Sequence, residues 1–492
     1  MSGEVSTKKR STTIAGVLIM AVGMMIANYG CAVSMASNLA AMNAAEYYIL
    51  VSALGSLGMM LVLPIVGRLT GIVGLRNLIL IGTIIQLGGR LLMMFSSVWV
   101  PYAVGYLVQA IGIGLYISSA FVIMSSVVAP AKRPQYFGYI AVANAVGSIA
   151  GPLLVSMMTS AGDMMGKLAY IVNYPLTILG FLLLMKECPN EKTPGAGKGF
   201  DYLGLVLTVF GLTALVLWLN LVNKMFAWVS APSILFLVIA VVAITWMIKR
   251  ELKIANPAVP LRMFKNKRLT YSFLGAIYFS VYNTCVCSYT IMWVMMNFDA
   301  FPGFTFYSGT ASMANSLVGL ILGMFLGAYI GKKFVKRFRP FAILSSIASI
   351  ISTGMLFCLK FTGTAATGDV AAIGNIPVGM ILIYVACAIG GFTYTVASST
   401  FPAFWQTNTP PEDMPSGMAL YSFGSLFASC IFGALAGVLM GSSGDYTIAF
   451  AAATVICVFG LIFTLVGFKF SKEEIDAANA ADAAEKLKAV GR

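Results

Sequence analysis

Long apolar runs, each about as long as a bilayer is thick, constrain this chain more than any other feature. They lie near residues 13–35, 46–66, 77–97, 101–128, 137–160, 167–186, 202–223, 230–249, 269–296, 305–331, 341–360, 376–401, 415–440 and 446–468, parted by polar or Gly/Pro punctuation. A helix of ~20 residues rises ~30 Å and so crosses the hydrocarbon core. The runs are unbroken rather than alternating, which argues against barrel strands. Composition agrees: 59% of the 492 residues are hydrophobic and 10% are charged, against ~25% charged in soluble domains. The expected fold is an all-α polytopic membrane protein with fourteen transmembrane helices. A soluble enzyme, a disordered scaffold and a secreted disulfide domain are excluded.

The net charge of +14 would suit a nucleic-acid binder, but its distribution does not. With the N-terminus inside, cytoplasmic segments hold 27 of the 31 Lys and Arg, among them Lys8, Lys9, Arg10, Arg68, Arg76, Lys132, Arg133 and the dense loops Lys249–Arg268 and Lys332–Arg339. Outside lie Lys167, Lys224 and Lys360, and Arg90 falls within a span. This positive-inside bias predicts a cell-membrane protein with both termini cytoplasmic. It also predicts contact with anionic lipids and no nucleic-acid partner. The apolar stretch behind the basic head is too long for the h-region of a cleaved signal.

Gly67, Gly71 and Arg76 follow the second span, and Gly327, Gly331 and Lys336 follow the tenth at the same spacing, 260 residues later. Duplicated six-helix halves with two extra helices between them would produce that echo. The expected division is a cytoplasmic head (1–12), an N-terminal six-helix bundle (13–186), a linker with two extra helices (187–250), a basic cytoplasmic loop (251–268), a C-terminal six-helix bundle (269–468) and a cytoplasmic tail (469–492). Transporters built from such pseudo-repeats hold substrate near the membrane midplane.

Five stretches carry a family resemblance. Gly67-Arg-Leu-Thr-Gly-Ile-Val-Gly-Leu-Arg76 is similar to motif A of the major facilitator superfamily, G-x-L-x-D-x-x-G-R-K/R, with Gly67, Leu69, Gly74 and Arg76 matching. Tyr106-Leu-Val-Gln-Ala-Ile-Gly112 resembles motif B, and Gly147-Ser-Ile-Ala-Gly-Pro152 resembles motif C, the antiporter motif. Asn173-Tyr-Pro175 and Asp201-Tyr-Leu-Gly204 resemble the starts of the sixth and seventh spans in the fourteen-span drug:proton antiporter branch, to which bile-acid permeases are related. The resemblance implies alternating access, a functional monomer, and a cavity lined by the first, fourth, ninth and twelfth spans. Three usual charges are missing: Gly71 stands where motif A has Asp, Tyr106 where motif B has Arg, and Asn28 where the first span often has Asp. The family's proton-coupling carboxylate therefore does not carry over.

There is no histidine, which removes His-ligated metals and Ser-His-Asp triads; no cofactor, metal or catalytic residue is expected. All 17 acids fall at span ends or in loops; Glu46 and Asp201, the nearest to the membrane, read as solvated helix ends. Arg90 is the one charge inside a span, where a charge costs at least ~2.5 kcal/mol. Two readings stand: snorkelling or structural pairing, and contact with an anionic substrate. Candidate cavity residues are Asn28 and Tyr29 in the first span, Gln109 and Tyr116 in the fourth, Tyr282, Asn283, Tyr289 and Trp293 in the ninth, Asn315 in the tenth and Tyr394 in the twelfth. Tyr282, Tyr289 and Trp293 share one helical face. The alternative for each is interhelical hydrogen bonding or aromatic packing. Gly67 and Gly74 would permit a tight gating turn, with Arg76 capping a helix or pairing with lipid. Gly147, Gly151 and Pro152 would make the fifth span a closely packed hinge. The eight cysteines read as small buried apolar residues.

The leading expectation is a secondary transporter, not an enzyme, that moves an amphipathic small organic molecule across the cytoplasmic membrane by efflux. Uptake or exchange of an amphipathic organic anion is the second reading, and a non-transporting membrane sensor the third. Motif C favours efflux; the missing acids and Arg90 favour a neutral or anionic substrate.

Overall fold

The computed structural model describes residues 7–44, 47–129, 132–188, 190, 201–222, 225–254, 261–290, 293, 318–319, 321–322, 325–362, 372–373, 376–410, 413–440 and 445–477. Asn315, Glu46, most of the tenth span and the tail beyond 477 lie outside the described residues.

Helix dominates. α1 (Thr7–Ala41), α2 (Tyr48–Val73), α3 (Leu75–Phe95), α4 (Trp99–Val127) and α5 (Arg133–Ser160) precede a short α6 (Asp163–Leu168), a 3-10 turn (Ala169–Ile171) and α7 (Tyr174–Glu187). Then come α8 (Tyr202–Leu221), α9 (Ala231–Glu251) and α10 (Lys267–Thr284), which runs on through one π turn, Cys285–Tyr289. α11 (Phe334–Phe357), a small antiparallel hairpin of β1 (Ala372–Ile373) and β2 (Ile376–Pro377), α12 (Val378–Asn408), α13 (Met414–Met440) and α14 (Tyr446–Gly467) follow. Among the described residues, 11 helices are long and apolar enough to cross a membrane, and Leu203–Leu219 is a shorter apolar helix. The expected polytopic all-α architecture is present. The sixth span, however, is not the continuous helix expected over 167–186: it breaks at Ala169–Ile171 and restarts at Tyr174.

Local chemistry sets several helix ends. Asp201, Ser230, Asn266 and Asp445 cap the helices that follow them, accepting backbone N–H groups from Gly204, Ser233, Arg268 and Thr447. Pro175 and Pro232 sit in first turns, where an N–H has no intrahelical partner. α2 and α3 meet at Gly74, whose φ of 92° favours glycine. In lipid, packing and hydrogen bonds rather than water exclusion hold such helices together. α4 is the most enclosed, with 72% of its apolar window buried, and α9 the most peripheral, with 22%; α9 exposes Leu235, Val238, Val242 and Trp246.

The chain divides into two compact units: Met1–Val127, Ala143–Phe264 and Thr409–Gly441 form the first, and Val128–Val142, Lys265–Asn408 and Ser442–Arg492 the second. In the first, α3 packs on α4, α1 on α7, α8 on α9, and α13 on α2. In the second, α11 packs on α12 and α14. There Phe338 stacks on Phe404 with ring centroids 4.8 Å apart and meets Phe468 at 5.2 Å.

Candidate substrate-handling residues in the two units

Arg90 is 1% exposed. Its Nε donates to the Tyr170 carbonyl and one terminal nitrogen donates to the Ala169 carbonyl at 3.1 Å. The other terminal nitrogen donates to the Ala27 carbonyl at 2.9 Å and also meets the Cys31 sulfur at 2.9 Å and Gln109 Oε1 at 3.4 Å. The broken sixth span explains this site. Its 3-10 turn frees carbonyls from the helical ladder, and non-helical backbone at membrane depth persists only where protein satisfies it. A guanidinium fork with five N–H groups serves two successive carbonyls at once. Arg90 therefore does not snorkel to the interface. Its donors face neutral protein acceptors, so the geometry also speaks against the direct anion contact considered from sequence.

The first-unit cavity candidates differ in exposure. Gln109, 1% exposed, accepts from the Cys31 thiol at 3.7 Å, and Tyr116, 2% exposed, donates to the Val17 carbonyl at 2.8 Å. Both fasten α4 to α1 rather than line an accessible wall. Asn28 is half-buried, whereas Tyr29 is 42% exposed although Gly30 and Cys31 beside it are buried. α5 approaches α1 closely: a Cβ added at Gly147 would lie 2.6 Å from Met25 Cβ, and one at Gly151 2.9 Å from the Ile26 carbonyl. Pro152 sits within α5 just beyond this contact.

In the second unit, Tyr282 is 1% exposed and donates to Ser352 at 3.3 Å, while Ser352 donates to the Ala386 carbonyl at 2.8 Å. Tyr278 bonds Ser346 at 2.8 Å, and Ser346 bonds Thr464 at 3.0 Å. These contacts tie α10 to α11, α12 and α14, the interhelical hydrogen bonding weighed for Tyr282 beside the cavity reading. The buried serines of α11, Ser345, Ser346, Ser349 and Ser352, of which Ser346 meets Tyr278 and Ser352 meets Tyr282, escaped the sequence reading; their spacing of three and four along one helical face was the available signal. Trp293 is also buried, and Tyr289 packs on Tyr446 with ring centroids 5.6 Å apart. The expected Tyr282, Tyr289 and Trp293 face thus turns largely into protein. A more accessible aromatic and amide patch is formed by half-buried Phe279 and Asn283, one turn apart on α10, with half-buried Tyr394 6.0 Å from the Phe279 ring.

The motif-A turn is tightly packed. A Cβ at Gly67 would collide with Ser416 Cα, so the last turns of α2 lie directly against the start of α13. Gly327, its echo, lies against the first turn of α5, an added Cβ standing 3.1 Å from the Pro134 carbonyl. Arg76 donates to the Met185 carbonyl in the last turn of α7 at 3.4 Å, a helix-end contact. Nearby, burial pushes the Cys188 thiol up to about 12 against the opposing pull of Arg76. Cys358 is exposed, unlike the buried role expected of the cysteines.

Asp201 is 4% exposed rather than solvated. It caps α8 through Gly204 N–H at 2.9 Å and pairs with Arg250 of α9 at 2.9 Å. Burial alone would raise its carboxyl, but the Arg250 guanidinium and the Gly204 N–H hold it below the usual range.

A polytopic helical membrane protein joined by buried hydroxyl seams and close glycine contacts is an architecture of solute carriers. A family profile for the Major Facilitator Superfamily matches residues 11–431, and the chain belongs to that family of transporters. It is 23% identical to the multidrug transporter protein MdtP of Bacillus subtilis over 218 residues, 44% of this chain and 39% of that protein. It is 26% identical to multidrug resistance protein 3 of the same bacterium over 268 residues, 54% of this chain and 52% of that protein. Against the efflux pump aflT of Aspergillus parasiticus it is 22% identical over 382 residues, 71% and 73% of the two chains. The chain thus spans 39% and 52% of the lengths of the two Bacillus proteins. The crystal structure of the human organic anion transporter MFSD10 (TETRAN) shares the fold, with a TM-score of 0.59 at 13% identity over 93% of this chain and 99% of that one.

Proposed function

We propose that this transporter exports an amphipathic, mostly apolar small organic molecule across the cell membrane by alternating access, as a monomer, with both termini in the cytoplasm. The observation that carries the reading is Tyr29, an aromatic side chain 42% exposed on a helix that is otherwise largely enclosed. The Phe279, Asn283 and Tyr394 patch offers the same chemistry in the second unit. Aromatic walls with few polar groups suit a flat ligand carrying one or two hydrogen-bonding atoms. The multidrug and efflux names of the relatives support export, and the basic bias of alternate loops supports the orientation. The described acids all lie at helix ends or beyond, so no carboxylate among them dictates a cationic substrate.

The test joins flux to binding. Purified protein is unfolded thermally against lipophilic cations, neutral sterol-like compounds and amphipathic carboxylates, and each stabilising compound is then assayed in everted vesicles. A ligand of the folded state adds about 2.7 kcal/mol at a hundred times its dissociation constant. Stabilisation and uptake into everted vesicles are expected for neutral compounds, with both weakened in Tyr29→Ala. Movement of carboxylates alone, directed into the cell, would replace the reading with an organic-anion permease. Binding without flux for every class would leave a sensor.

A further inference from the structure

The start of α11 and the segment just after α14 line a cavity of about 400 Å³ in the second unit. Three cations line it, Lys336, Arg339 and Lys469, together with the apolar side chains of Val335, Pro340, Phe470 and Ile475. No acidic side chain is among its lining residues. The neighbouring charges have other roles: Arg337 lies 3.7 Å over the Tyr329 ring, and Glu474 pairs with Arg268 at 3.0 Å. Arg339 reaches across to α14, donating to the Leu465 carbonyl at 3.4 Å; a guanidinium has further N–H groups to offer.

The surroundings say which anion fits. Lys336 and Pro340 continue, at helical spacing, the α11 stripe of Leu344, Ile347 and Ile351, which are 40–50% exposed. On the adjoining α14, Val455, Phe459, Ile462 and Val466 are 46–56% exposed. Side chains so apolar and so exposed on membrane-spanning helices face lipid. The basic cavity therefore sits where two acyl-facing stripes end, lined by cations and apolar side chains together. We propose that it is a binding site for the headgroup phosphate of an anionic phospholipid, whose chains run along α11 and α14. Arg and Lys at this position supply charge-assisted hydrogen bonds to phosphate oxygens, and the apolar lining side chains meet the glycerol and first methylenes. A bound lipid joins α11, α14 and the segment after α14 that Arg268 holds through Glu474.

The experiment compares the full chain with two triple variants that lose equal charge: Lys336→Gln/Arg339→Gln/Lys469→Gln in the cavity, and Lys249→Gln/Lys253→Gln/Lys265→Gln on another basic loop. Retention of phosphatidylglycerol over phosphatidylcholine is read by native mass spectrometry. In parallel, hydrogen exchange of the unmodified protein is compared in nanodiscs of each lipid. The expected result is affinity for phosphatidylglycerol weakened about tenfold or more in the cavity variant, from loss of its charge-assisted bonds, and retained in the loop variant. Residues 335–340 and 468–475 should also be protected by phosphatidylglycerol alone. Equal losses in both variants would mean diffuse attraction and overturn the site. Equal protection by inorganic phosphate or glycerol phosphate would make the occupant a soluble anion and overturn the lipid assignment. Should the cavity variant not fold, the exchange data decide: unchanged exchange at those two segments overturns the proposal.

Discussion

Arg90 shows how one side chain can carry a backbone irregularity through a membrane. Removing it leaves the Ala169 and Tyr170 carbonyls without their donors, at ~1–3 kcal/mol for each buried group left unmatched. Arg90→Ala is therefore expected to lose about 3 kcal/mol of stability, and Arg90→Lys to recover only part, since an ammonium cannot fork across two carbonyls. Thermal unfolding in detergent measures both; an unshifted midpoint in Arg90→Ala would contradict the role. Cys188 gives a second test. Burial raises its thiol to about 12, so at pH 8 almost no thiolate exists and maleimide should label a single-Cys188 protein far more slowly than one retaining only exposed Cys358. Rapid labelling of folded protein at Cys188 would refute this. The oddity of Arg90 was legible in the sequence; its partners were not, because three of them are main-chain carbonyls, which no side chain marks, and two of those lie at the break in the sixth span.

Between elements, small contacts set large consequences. Gly67→Ala must displace the α13 backbone at Ser416, and overpacking of this kind costs ~1–3 kcal/mol; reduced transport together with a lower unfolding midpoint is expected, and a wild-type profile would show that the approach is not required. The Asp201 and Arg250 pair joins α8 to α9. Its carboxyl is depressed in the folded protein, so its contribution is complete above the ordinary carboxylate value of ~3.9 and is lost as pH falls through the lower folded value. Asp201→Asn should thus flatten the acid limb of the stability curve below about pH 4. The effect will be modest, because Arg250 remains 33% exposed and water screens such a pair. An unaltered acid limb would count against the pair. The motif-C glycines were readable as a close helix approach because packing needs small residues at that spacing. The α11 serines were passed over because a hydroxyl in an apolar run carries no mark of which helix it will face.

For the whole molecule, the crossings were legible because apolar runs of that length have no other solvent than lipid. The two compact units were not: Thr409–Gly441 joins the first and Val128–Val142 the second through side-on contacts that leave no periodic trace. Orientation is open to a direct test. Cysteines replacing Lys132 or Lys253 should react with impermeant maleimide only after permeabilisation, and those replacing Lys167 or Lys360 in intact cells; the reverse pattern would invert the topology. The broken sixth span also has a consequence in time. Arg90 and Tyr170 lie 80 residues apart, and at synthesis rates of ~5–20 residues per second roughly 4–16 s separate them. The Ala27 carbonyl of the first span is made before Arg90, and Gln109 of the fourth soon after it. The sixth span, which brings the Ala169 and Tyr170 carbonyls, is the last to complete the guanidinium's set of partners.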